Sequence, residues 1–144
     1  MKKITLLFVA IGFMTMAATT KLSLSNDETA LKSKFKHEKY KASIHACNLT
    51  IATCEKVMDI CCAKEESNPE MENCRKLCEL CIAECKSTIK IMSSNDETVK
   101  SKCLECAKVC EECAAECDKF NIVEFKECAI NCREAALYAY LHLL

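Results

Sequence analysis

Residues 103–117 read CLECAKVCEECAAEC, and the placing of sulfur in this stretch decides the fold. Cys103, Cys106, Cys110, Cys113 and Cys117 stand at steps of three, four, three and four. That spacing returns a side chain to the same face of an α-helix, so five thiols form one stripe. Between them, Glu105, Lys108, Glu111, Glu112 and Glu116 are good helix formers that face water if the stripe faces inward. The stretch predicts a helix with sulfur where a core helix ordinarily carries leucine.

Composition bounds the rest. A chain of 144 residues is one domain, long enough for a single core. With Gly 1 and Pro 1 there is almost nothing to punctuate strands or hairpins, which predicts an all-α fold. The net charge of −1, with Lys and Glu interleaved along the chain, offers no basic field for nucleic acid. The 15 cysteines are an odd number far above ordinary usage, so the function is expected to lie in thiols.

Residues 1–18 combine a basic start (Lys2, Lys3), an apolar run from Ile4 to Met16, and small residues at Ala17 and Ala18. This is the pattern of a secretory signal peptide, and the run falls short of the ~20 apolar residues of a spanning helix. The expectation is an exported, periplasmic protein with no membrane attachment once the leader is removed.

The mature region, residues 25–144, divides into four helices. Ser25-Asn26-Asp27-Glu28-Thr29 recurs as Ser94-Asn95-Asp96-Glu97-Thr98, and both copies look like N-caps with acidic first turns. The first predicts a helix to about Glu66, with His37, Tyr40, Ile44, Cys47, Ile51, Cys54, Met58 and Cys61 inward and Cys62 at the edge. Ser67-Asn68-Pro69 caps a second helix with the stripe Met71, Cys74, Cys78, Cys81, Cys85, Thr88 and Met92. The copy at Ser94 opens the third, with Val99 ahead of the cysteine run and Phe120 behind it. A turn near Asn121 leads to a fourth, with Phe125, Cys128, Cys132, Ala135, Ala139 and His142 on one face.

Short connections favour an antiparallel up-down-up-down four-helix bundle with a cysteine-lined core. Counting from the turns predicts layers of Cys61, Cys74 and Cys117 beside Phe125, then Cys54, Cys78 or Cys81, Cys113 and Cys128. Cys85, Cys110 and Cys132 follow, then Cys47 and Cys103.

Such a column has several chemical readings. Cys can pack as a small hydrophobe, but cores are ordinarily filled with Leu, Ile and Val. The competing class is an exported disulfide-stapled or thiol-redox bundle, since an oxidising compartment favours disulfides. Against it, thiols at steps of three and four on one helix must strain to reach disulfide geometry. Structural zinc wants four ligands, usually on Gly- or Pro-containing turns, and neither such turns nor discrete groups of four are predicted. Iron-sulfur ligation has a tighter motif than the C-x3-C-x2-C-x3-C of the second helix. Cu(I) prefers thiolate and is satisfied by two or three sulfurs, so a continuous column can hold many ions. The pairs Cys74/Cys78, Cys81/Cys85, Cys106/Cys110, Cys113/Cys117 and Cys128/Cys132 each put two sulfurs one turn apart. Three histidines and no glycine loop give no nucleophile with its base, so an enzyme is not predicted.

From Cys47 in C-x6-C-x6-CC, through the second and third helices, to Cys128 in C-x3-C, the pattern resembles the bacterial copper storage proteins, cysteine-rich four-helix bundles filled with Cu(I). The resemblance implies a store that accumulates Cu(I), limits its toxicity and supplies it to a copper chaperone or recipient cuproprotein. A homo-oligomer is compatible with it. All fifteen cysteines are then candidate ligands. Relatives of this kind carry His and Met at the bundle mouth, which implies that His37, Met92 and His142 form a transfer site; otherwise they are end-layer or surface residues. The chain departs from exported relatives in its leader type and in having no Met between Lys21 and Ala46. His45 is read as a boundary residue, and Met58 and Met71 as core.

Overall fold

The computed structural model describes the backbone of residues 24–63, 68–94 and 97–144, and their side chains apart from 24–29, 32, 33 and 35–37. The leader and the side chain of His37 lie outside the described residues. Among the described residues there are four helices, α1 (Leu24–Ala63), α2 (Pro69–Ser93), α3 (Val99–Cys117) and α4 (Val123–Leu141). Each packs on its chain neighbours and α4 closes back on α1, while the α1/α3 and α2/α4 backbones do not approach one another. This is the ring order of the predicted up-down-up-down bundle. Among the described residues, no helix is long and apolar enough to cross a membrane.

The cap of α2 is as read. Asn68 Oδ1 accepts from the backbone N–H of Glu70 at 2.9 Å, Pro69 takes the first helical position, and Glu70 and Glu72 face the positive end of the helix. The two copies of Ser-Asn-Asp-Glu-Thr do not behave as predicted. α1 is already helical at Leu24, so Ser25 lies inside it. Ser94 instead closes α2, its N–H donating to the Ile91 and Lys90 carbonyls, and α3 begins after Thr98. Starting there sets Val99 into the core, 5 % exposed. Tertiary burial sets this boundary and overrides the local capping preference.

The stripes of α2 and α3 are buried as predicted, residue for residue, from Met71 to Met92 and from Val99 to Cys117. On α1 the inward face is rotated. Ser43, Thr50, Thr53 and Val57 join Tyr40, Cys47 and Cys54 in the core, and Ile44, Ile51, Met58 and Cys61 are only half-buried. The hydroxyls are accommodated because the backbone accepts them. Thr50 Oγ1 donates to the Asn131 carbonyl at 3.0 Å, and Thr53 Oγ1 to the Leu49 carbonyl at 3.0 Å. Glu116, expected in water, is 7 % exposed and pairs with Lys119 at 2.7 Å, which holds its carboxyl below the usual range.

One end of the bundle is shut by rings. Phe120 and Phe125 pack with centroids 4.7 Å apart, and Phe125 is fully buried. The turn behind them is tied by Lys126 Nζ donating to the Asp118 carbonyl at 2.7 Å and by an Arg133–Asp118 ion pair. Few other large side chains are fully enclosed, chiefly Met92 and Val57. Phe125→Ala is therefore expected to cost about 3–5 kcal/mol in denaturant unfolding of the metal-free protein. A loss below about 1 kcal/mol would show that this end contributes little to the core.

Candidate metal centre

Thirteen of the cysteines are buried, Cys61 is half-buried and Cys62 is exposed; all fifteen are free thiols. The buried sulfurs form two short-contact runs along the bundle axis. From the phenylalanine end, Cys74 meets Cys117 at 3.6 Å, and Cys78 meets Cys117 at 4.0 Å and Cys113 at 3.7 Å. Cys54 touches Cys113 at 3.9 Å and Cys128 at 3.5 Å, and Cys128 touches Cys132 at 3.9 Å. In the second run Cys110 lies 3.6 Å from Cys81, 3.8 Å from Cys85 and 3.9 Å from Cys106, and Cys85 lies 4.0 Å from Cys106. Cys54 and Cys113 meet across the diagonal that the α1 and α3 backbones leave open. These separations are van der Waals contacts, far from the ~2.05 Å of a disulfide.

The predicted layers hold at the closed end and shift by a step elsewhere. Cys132 belongs with Cys54, Cys113 and Cys128, not with Cys85 and Cys110. Cys47 joins Cys85 and Cys106, and Cys103 lies outside every group. Groups of four do occur, though they overlap at Cys113 and Cys128 and are not discrete. Cys54, Cys113, Cys128 and Cys132 form one such group, and Cys78, Cys113, Cys117 and Cys128 another, each with all sulfurs within 4.8 Å. The C-x3-C pairs of one helix could not reveal this in the sequence, because the fourth sulfur comes from α1 or α2 across the bundle.

Electrostatics divides the thiols of the column into a raised set and a lowered set. Burial pushes the Cys61 and Cys103 thiols up to about 11, assisted by the neighbouring Cys74 and Cys106 respectively. Where sulfurs crowd, protons are shared unevenly. Donation to neighbours, Cys113 first for Cys54 and Cys106 first for Cys85, raises those two thiols. Thiol donation from Cys117 lowers its acceptors, Cys74 to about 4 and Cys113 to about 7. The column can thus lose protons stepwise at its acceptor sulfurs. It cannot carry a dozen buried negative charges without cations to replace the protons.

At the other end, Met92 is 2 % and Val99 5 % exposed. His142 is half-buried, its Nε2 2.6 Å from Ser43 Oγ and its ring edge-on to Tyr40 with centroids 4.7 Å apart. Burial, then the nearby Lys39, lowers its pKa and favours neutral imidazole. Nothing in the spacing of the cysteines pointed to Ser43 as the residue that holds this ring. His45 is exposed and apart from the column, as is Cys62, which the column does not include.

A family model described as copper storage protein matches residues 36–138. Among solved structures, the Cu(I)-bound copper storage protein BsCsp3 is similar, with a TM-score of 0.68 and 27 % identity over 74 % of this chain and 99 % of that one. No curated protein sequence matches the chain.

Proposed function

The chain belongs to the copper storage protein family, and on that premise we propose that it stores Cu(I), many ions per molecule, on the thiolates of its bundle core. The observation that carries this reading is the column itself, thirteen buried cysteines, eleven of them with sulfurs in contact in two runs along the axis. Cu(I) prefers thiolate and needs only two or three sulfurs, so bridging lets neighbouring ions share ligands. Charge supports the same reading. Each Cu⁺ that enters replaces one H⁺, so loading leaves the net charge of the core unchanged and adds no desolvation penalty per ion. Storage of this kind sequesters copper, limits its toxicity and keeps it available for a chaperone or recipient cuproprotein. No enzymatic step is part of the proposal.

The leader pattern of residues 1–18 supports export to the periplasm, the second part of this proposal. The third part is the mouth. We assign it to the end where Met92 and His142 lie, with His37 on the same helix as Ser43 and three residues before Tyr40. Ser43 holds Nε2 of His142, so Nδ1 is the atom this imidazole offers a metal. Thioether and neutral imidazole hold Cu(I) less tightly than bridging thiolate, which suits a site that passes ions inward.

Thiol accessibility tests the storage reading. Fully reduced protein, loaded with Cu(I) without oxygen and then treated with a thiol-modifying reagent, is expected to react at Cys62 alone, and C62S to react at none. Core cysteines that react as fast with copper as without it would refute thiolate storage.

A further inference from the structure

Sulfurs bound at 2.3 Å to a tetrahedral zinc ion stand about 3.8 Å apart. In the group formed by Cys54, Cys113, Cys128 and Cys132, the shortest contacts are 3.5, 3.9 and 3.9 Å, and all four sulfurs lie within 4.8 Å of one another. The four thiols come from α1, α3 and α4 and are fully enclosed. Three of the six edges therefore match those of a closed tetrahedral site and the other three exceed them by at most about 1 Å, so four sulfurs closing on one ion leave no position for water. We propose that Cys54, Cys113, Cys128 and Cys132 form a tetrahedral cage for one Zn²⁺ ion, held in the copper-free protein and displaced by Cu(I).

Two features around the group support a preformed cage. Thr50, one turn before Cys54, donates its hydroxyl to the carbonyl of Asn131, the residue before Cys132, at 3.0 Å. That bond sets the spacing of α1 and α4 at the level of the four sulfurs, as outer-shell bonds do around metal ligands. The second feature is a bordering thiol. Cys78 lies 3.7 Å from Cys113, so an S–H donor stands beside a cage sulfur that becomes thiolate. In this setting it takes the place of the turn N–H groups that helices have already committed to their own backbone.

The neighbouring group of Cys78, Cys113, Cys117 and Cys128 shares two sulfurs with the cage, so the two cannot be filled independently. It is the poorer site. Its Cys117 lies 4.0 Å from Cys78 and is drawn toward Cys74 at 3.6 Å, whereas the one short sulfur contact of Cys132 is with Cys128, inside the cage.

The exchange is of protons, not electrons. Zn²⁺ enters and thiol protons leave to the buffer, two for a neutral site and four for the full tetrathiolate. Bound zinc would hold these four sulfurs as coordinated thiolates, away from disulfide formation, until copper arrives. Cu(I) then displaces it because soft thiolate ligands favour Cu(I).

The test uses the whole reduced, copper-free protein without oxygen. Zn(II) titrated against a chromophoric zinc indicator is expected to bind at one ion per chain, and Co(II) to give the intense visible absorption of a tetrahedral tetrathiolate. C132S should lose both, whereas C103S, the same change at a buried thiol outside every group, should keep both. Zinc-edge X-ray absorption of the unaltered protein should show four sulfurs at about 2.3 Å, a readout that does not depend on any variant folding. Cu(I) added afterwards should release the zinc to the indicator. Absence of zinc binding, a six-coordinate cobalt spectrum, a mixed oxygen and sulfur shell, or retention by C132S with loss in C78S would each overturn the assignment. Cu(I) uptake by the same preparation is a separate readout, so a protein that stores copper and ignores zinc removes the cage and leaves storage standing.

Discussion

Saturation with Cu(I) is expected to raise the thermal midpoint of the protein by tens of degrees. The metal-free core is built largely from Cys, Ala and Thr, with Phe125, Met92 and Val57 as its largest fully buried apolar side chains. Such a core removes less apolar surface from water than one of Leu and Ile, so the metal-free bundle has modest stability. Copper supplies links that exist only in the folded form, because the sulfurs that meet come from different helices. An ion present at a thousandfold excess over its dissociation constant stabilises by about 4 kcal/mol. For a domain of this size each kilocalorie moves the midpoint by roughly 2–8 °C, so a few ions are enough. Circular dichroism melts at increasing Cu(I), without oxygen, would show the rise; a midpoint indifferent to saturating copper would place the metal outside the core.

Acid should undo that stabilisation and release the metal. Cu(I) binds thiolate, and an isolated cysteine has a pKa of about 8.5. Burial pushes Cys61 and Cys103 up to about 11, so at neutral pH copper must displace their protons. Cys74 and Cys113 are held down to about 4 and about 7 by donating neighbours, and Cys81, Cys106 and Cys128 are lowered in the same way. The sign follows from the exchange. Affinity for an ion that displaces one proton falls roughly tenfold for each unit of pH lowered while that thiol is protonated in the free protein. Raised thiols such as Cys61 and Cys103 are in that regime throughout the neutral and acid range. Those at Cys113 and Cys74 enter it only as the pH falls through about 7 and about 4. Copper-derived stability is therefore greatest at neutral to alkaline pH and falls on acidification. Dialysis across the acid range with copper assayed in both compartments would reveal a graded loss; retention of all the copper in strong acid would contradict thiolate binding.

Much of this was legible in the sequence because cysteine served as its own periodicity marker. On α2 the sulfur spacing marks the buried face residue for residue, and on α3 it finds every buried sulfur but not Ala107, Ala114 and Glu116, which are buried beside the stripe. On α1 the guide failed. Its cysteines are seven residues apart and leave the rotation of the face underdetermined, and the residues that complete it, Ser43, Thr50 and Thr53, are polar by type. The Thr50 and Thr53 hydroxyls find backbone acceptors, which only the assembled structure supplies for Thr50, and Ser43 meets the His142 ring. The groups of four were hidden for a related reason. Helical spacing orders sulfurs along one helix, but whether Cys132 sits level with Cys54 or with Cys85 depends on the stagger between helices. A shift of one turn decides it, and turn counting across residues 118–122 does not resolve one turn. Glu116 was misplaced because a carboxylate beside an inward cysteine can turn along the surface and pair with Lys119.

The central claim is that the column of thiols holds copper in bulk, and stoichiometry tests it most directly. Reduced protein titrated with Cu(I) without oxygen, against a competing chromophoric chelator, should take up on the order of a dozen or more ions per chain, because each bridging thiolate serves two ions and each ion needs two sulfurs. Saturation at one or two ions would contradict storage and leave a single-site chaperone or a zinc-like centre in its place.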